Sequence, residues 1–194
     1  MMRTATECLA PYATNMIRLD HTHVVATFHH YRTTDHPRVK RGLVDQVCLA
    51  LEVHAQLEEE IFYPALRAVA GDEEAMQKSV PEHAEMKRLI GRLRGMAPED
   101  PAFDDTFMEL LRDVLHHVAD EETLLLPLAE RRLHDRLGEL GLAMTKRRME
   151  LLVPRTGELA SAMARSMSLA TLAATAAVAA ALTALCLHRH RPLS

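Results

Sequence analysis

Tryptophan is absent from the 194 residues, and Phe and Tyr number only 4 and 3. Strands draw on β-branched and aromatic side chains to fill a pleated face, so this scarcity argues against a sheet, while the abundance of Ala, Leu, Glu, Met and Arg is that of helices. Cysteine is scarce as well. Cys8, Cys48 and Cys186 are far apart, too few for a disulfide framework and without the Cys-x-x-Cys spacing of a zinc or redox site, so a reducing compartment is expected. Charge of one sign is not in excess either. With 23 Lys+Arg against 27 Asp+Glu, a net charge of -4 and no basic block interleaved with aromatics, nucleic acid is not an expected partner. The opening MMRTATECLAPYATNMIRLD has no continuous apolar stretch and does not read as a secretory signal. A P-loop, a Rossmann glycine fingerprint and a Ser/His/Asp set are all missing, which leaves binding a better expectation than turnover.

What the chain does have is histidine, 12 in all, more than Phe and Tyr together. The breakers divide the chain into four long predicted helices: one from about Tyr12 to Tyr31 ahead of Pro37, one from about Lys40 to Gly71, and a third and fourth separated by the turn between Pro98 and Pro101. Ser79 and Pro81 read as the cap and first-turn proline of the third helix. In the second helix Leu43, Val47, Leu51, His54, Glu58 and Ile61 recur at three- and four-residue steps. In the fourth, Phe107, Leu110, Val114, His117, Glu121 and Leu124 do the same, so histidines and carboxylates lie within stripes expected to face a core. A further charged helix beyond Arg132 is stopped near Pro154.

Two stretches repeat. HAQLEEEIFYP (54–64) and HVADEETLLLP (117–127) pair His54 with His117, Glu58 with Glu121, Glu59 with Glu122 and Pro64 with Pro127, all 63 residues apart. Asp20-His21 and Glu82-His83 match more loosely at 62. His-x-x-x-acid pairs arise readily by chance in a chain this rich in both, so the spacing alone is weak; the shared extension to the proline and the placement on apolar stripes strengthen it. Residues four apart on a helix lie on one face, about 6 Å apart along the axis, and can grip one metal ion. Imidazole with carboxylate suits iron, manganese or zinc. Burying such groups unsatisfied costs several kcal/mol, which a pair of ions bridged by Glu58 and Glu121 would remove.

The stretches LDHTHV, HAQLEEEIFYP, EHAEMKRLI and HHVADEETLLLP, in this order and over roughly Met16 to Leu152, resemble the hemerythrin-like, or HHE cation-binding, domain. The resemblance implies an all-α, up-down-up-down four-helix bundle with a non-haem di-iron centre: two iron ions, His21, His54, His83 and His117 as terminal ligands, Glu58 and Glu121 as bridges. It implies dioxygen, or another small diatomic or peroxide ligand, as the partner. Two alternatives stand within it, His23 in place of His21, and His116 with Asp120 or Glu121 in place of His117. The oxygen carriers of the family have a second third-helix histidine where this chain has Lys87. That leaves six protein ligands and a more open sphere, and favours peroxide or nitric oxide chemistry, or iron storage or sensing, over simple carriage. Asp20 and Glu82 are candidate acceptors from ligand imidazoles, Glu59, Glu60 and Glu122 outer or surface groups, and Tyr63 is read first as packing.

The expected organisation is an N-terminal extension (1–11), the bundle (12–153), a linker (154–165), a C-terminal hydrophobic helix (166–187) and a basic tail (188–194). As a helix, 166–187 would span about 33 Å, close to a bilayer core. It is either a membrane anchor or a packing helix; if it inserts, Lys146, Arg147, Arg148, Arg155 and Arg165 on one side outweigh Arg189 and Arg191 on the other. The bundle is then expected on the cytoplasmic face.

Overall fold

The protein is described from a computed structural model that covers residues 12–71 and 73–167. The described residues form helices and no strands. In chain order these are α1 (Ala13–Arg32), α2 (Pro37–Leu57), α3 (Tyr63–Ala70), α4 (Glu74–Gly95), α5 (Phe103–Asp120), α6 (Leu126–Arg132), α7 (Leu137–Leu152) and α8 (Thr156–Ser166).

α2 runs into α3 through a π-helical turn, Glu58–Phe62, and α5 into α6 through another, Glu121–Leu125. Tyr63 N–H donates to the Glu58 carbonyl and Leu126 N–H to that of Glu121, five residues back in each case. The cause lies one residue further on. Pro64 and Pro127 have no N–H, and in an α-helix their rings would clash with the carbonyl four residues before; one wider turn relieves both problems.

Side-chain pairs fix how the helices run. Arg18 meets Glu122 and Glu130 while Tyr31 meets Asp104, so α1 lies antiparallel to α5–α6. Asp20 with His54 and Tyr31 under Lys40 set α1 against α2. Lys87 with Glu59 and Arg94 with Glu52 set α4 against α2, and Glu82 with His117 and Arg92 with Glu109 set α4 against α5. Neighbouring long helices therefore alternate in direction.

The core is in two parts. One cluster gathers Ile17, Leu57, Phe62, Leu66, Leu126 and Leu140; the other gathers Phe28, Val44, Leu89, Leu93, Phe103 and Phe107. His21, His54, His83 and His117 occupy the level between them, buried along with Glu58 and Glu121. Each long helix thus carries apolar residues, then a polar turn, then apolar residues again.

Two expectations are corrected. Pro81 is not in a first turn: α4 begins at Glu74 and contains the proline, with Ser79 Oγ donating to the Ala75 carbonyl 2.9 Å away instead of capping. The segment 154–165 is not a linker but a 3-10 turn, Val153–Arg155, followed by α8. α8 lies on α2 where Gly42 leaves room; a Cβ there would come within 2.4 Å of the Ser166 nitrogen and 2.8 Å of the Ala162 carbonyl oxygen. Arg38 donates to the carbonyls of Ala164 and Met167, and Gln46 to Ser166 Oγ, completing the seam. Among the described residues no helix is long and apolar enough to cross a membrane. The 1–11 extension, the basic tail and, beyond Met167, the hydrophobic helix predicted over 166–187 lie outside the described residues.

Candidate metal centre

Each histidine at the polar level enters from a different long helix: His21 from α1, His54 from α2, His83 from α4 and His117 from α5. Glu58 and Glu121 open the two π turns, so each widened turn begins on a carboxylate one helical turn beyond a histidine. Two groups converge. His21, His54, Glu58 and Glu121 bring four ligand atoms within 4.8 Å of one another, and Glu58, His83 and His117 bring three. All six predicted ligands are therefore brought together, and Glu58 belongs to both groups.

The inner distances are short. His54 Nε2 is 3.2 Å and His83 Nε2 3.4 Å from Glu58 Oε2; His21 Nε2 is 3.1 Å and His117 Nε2 3.4 Å from Glu121 Oε2. His83 Nε2 and His117 Nε2 lie 3.1 Å apart. Glu58 Oε1 is buried without a hydrogen-bond partner, and Tyr63 donates to Glu121 Oε1 at 2.8 Å and to Glu58 Oε2 at 3.3 Å. Tyr63 thus packs in the core and also bonds to both carboxylates, so packing and hydrogen bonding, the two roles its sequence position suggests, are combined.

Around this inner set stands a ring of carboxylates, one for each imidazole. Asp20 accepts from His54 Nδ1 at 3.3 Å, Glu82 from His117 Nδ1, Glu59 from His83 Nδ1 and Glu122 from His21 Nδ1, the last three at 2.9 Å. Asp20 and Glu82 serve not the histidine beside them in sequence but the one on the next helix. The pairing obeys the repeat: Asp20 with His54 corresponds to Glu82 with His117, and Glu122 with His21 to Glu59 with His83. Such partners fix the tautomer and aim of a ligating imidazole. Lys87, at the third-helix position where a second histidine would stand, turns outward and binds both oxygens of Glu59 at 2.8 and 2.9 Å.

Charge follows this geometry. Burial and the neighbouring Glu121 push Glu58 up to about 7. Burial pushes Glu121 up too, but its bond to His21 and the nearby imidazoles outweigh that and hold it well below the usual carboxylate range. For His21 the bonds to Glu121 and Glu122 overcome the burial penalty and raise it to about 9. Burial outweighs Glu59 at His83, which is lowered. Asp20, Glu59 and Glu82 are lowered despite partial burial by their histidine and cation partners, and so are ionised acceptors near neutrality.

The remaining candidates fall elsewhere. His23, His29, His30, His36 and His134 are exposed, and Glu60 pairs with Arg147 on the surface. His116 is exposed, one position round α5 from His117. Beside the inner set a cavity of about 10 Å³, the size of one water, is walled by Val24, Leu51, Met86, Val114 and Val118. The sequence repeat located His54, Glu58, His117 and Glu121, and the family resemblance added His21 and His83; the crossed carboxylates depended on helix rotations that a single sequence does not specify.

The Hemerythrin HHE cation binding domain model matches residues 12–129. A hemerythrin HHE cation binding domain-containing protein from Mycobacterium kansasii has a similar fold, with a TM-score of 0.65 and 19% identity over 81% of this chain and 99% of that one. A DNA nickase from Nostoc sp. is 32% identical over 111 residues, 57% of this chain but 31% of the nickase, so this chain spans about a third of that relative's length.

Proposed function

We propose that this chain, which belongs to the hemerythrin HHE cation-binding domain family, holds two iron ions between its long helices and uses them to bind dioxygen or a related small molecule. The alternating directions of neighbouring helices support an up-down-up-down four-helix bundle around that pair. His21 and His54 would hold one ion, His83 and His117 the other, with Glu58 and Glu121 shared.

One observation carries the reading. An ionised carboxylate can only accept, so Glu59 and Glu82 require His83 and His117 to donate from Nδ1. The Nε2 atoms are the nitrogens left for a ligand, and they face each other across 3.1 Å in a buried setting that also holds the partnerless Oε1 of Glu58. Two such nitrogens need a shared cation between them, a metal ion or a proton. An imidazole and carboxylate set of this kind fits iron well.

Bound iron would supply redox chemistry toward dioxygen, peroxide or nitric oxide. The protein's own part is to orient and to exclude. The four outer carboxylates hold the imidazoles, the Tyr63 hydroxyl holds a proton 2.8 Å from Glu121, and the apolar wall of Val24, Leu51, Met86, Val114 and Val118 admits a small uncharged molecule better than an ion. A second reading, breakdown of peroxide, is favoured by the same phenol, which places a hydrogen-bond donor beside the shared carboxylates. The strand-nicking named for the Nostoc relative is not extended to this chain.

The test is metal content per chain of the purified full-length protein, with its visible spectrum after anaerobic reduction and then exposure to oxygen. About two irons per chain and an absorption that reverses when oxygen is removed are expected. Irreversible oxidation with steady peroxide turnover would move the reading to the second, and failure to hold metal would overturn both.

A further inference from the structure

Outside the inner set, one more group of ligand atoms converges among the described residues: Glu82 of α4 with His116 and Asp120 of α5, mutually within 4.8 Å. Unlike the inner six, it is open to solvent, with His116 exposed and both carboxylates half-buried. His116 and Asp120 repeat, one residue earlier on α5, the four-residue step of His117 and Glu121. Imidazole and two carboxylates from adjacent antiparallel helices make a partial sphere with room left for water.

The internal repeat supplies an independent reason to expect a cation there. At the offset of 63, His116 and Asp120 correspond to Val53 and Leu57, which are buried in the cluster that α7 closes with Leu140 and Met144. The same covering helix supplies Arg148, whose Nη1 and Nη2 donate to Asp20 at 2.9 and 2.5 Å. Asp20 is the counterpart of Glu82. In the first half, then, the outer carboxylate binds both a histidine and a guanidinium. In the second half Glu82 binds His117 in the same way, but its further neighbours are a histidine and an aspartate in place of a guanidinium.

We infer that Glu82, His116 and Asp120 form an outer site for a divalent transition cation, and that an ion there reaches the inner centre through Glu82. Binding at the outer site stands by itself. Delivery inward rests on the proposed metal centre. The donor set suits Zn²⁺, Mn²⁺ or Fe²⁺ better than Ca²⁺, which prefers an all-oxygen shell. Glu82 touches the outer group and His117 Nδ1 at once, so of the four outer carboxylates it is the one that joins a second convergent group to a buried histidine.

The experiment is Zn²⁺ titration of the full-length metal-free protein, counting ions bound per chain, on wild type, H116A/D120A and E58Q/E121Q, with circular dichroism to verify folding. Wild type should bind one ion more per chain than H116A/D120A, and E58Q/E121Q should keep that extra, weaker ion while losing the inner ones. The alanine changes fall on the surface and leave the core packing intact. Equal stoichiometry in wild type and H116A/D120A would overturn the outer site. A wild type that binds a single ion, lost in H116A/D120A, would uphold the outer site and reject the inner centre. For delivery, stopped-flow loading of the inner ions should be several-fold slower in H116A/D120A; unchanged loading would overturn the relay while leaving the site.

Discussion

His21 illustrates how one side chain links the metal to the stability of the empty protein. Its folded pKa is raised to about 9 because the bonds to Glu121 and Glu122 outweigh burial. A base whose folded value lies above its unfolded value of about 6.5 stabilises fully below that pH, and the contribution is lost as pH rises through the folded value. The denaturant midpoint of the metal-free protein is therefore expected to fall between pH 6.5 and about 9, and His21→Gln should flatten that slope. The metal-loaded protein should not show it, since the ion takes the place of the proton. Asp20 acts on the same level. Asp20→Asn removes the charged acceptor from His54 and should weaken metal affinity by about 10- to 100-fold, measured by chelator competition, without loss of helical signal. His54, Glu58, His117 and Glu121 were legible because repetition and stripe position agreed, whereas His21 and His83 rested on a looser match and on the family resemblance. The outer ring was only half legible, since Asp20 and Glu82 sit beside one histidine and serve another.

Among the helices, the long amphipathic ones were read from periodicity, and their boundaries moved only by a few residues. The π turns were not read, although their cause was in view: Pro64 and Pro127 end both repeats, and a proline in mid-helix demands that its lost hydrogen bond be accommodated. Pro81 misled for a related reason. A proline near a serine resembles a helix start, but the apolar contacts of Ala75 and Met76 extend α4 a full turn and more ahead of it. α8 was missed because its docking depends on a residue that is absent rather than present, the side chain of Gly42. Gly42→Ala should push α8 from α2 and cost about 1–3 kcal/mol in chemical denaturation. Metal content should not change, because the seam is remote from the polar level.

At the scale of the molecule, a charged level separates two apolar clusters, and α7 and α8 lie beyond the residues matched by the family model, 12–129. The clusters meet the same four long helices above and below the site, so ions placed there fasten both ends. Removing the metal should lower the melting temperature; at free metal 100 times the dissociation constant each ion contributes about 2.7 kcal/mol. Calorimetry with and without chelator would show the difference, and equal melting curves would mean that the site is not held together by metal. The paired π turns bear on ancestry. A π turn is one residue added to a helix, and the count from glutamate to proline is the same in both halves. If one helix pair doubled to give this chain, the ancestor already carried the added residue, and the widened turn is older than the bundle it now occupies.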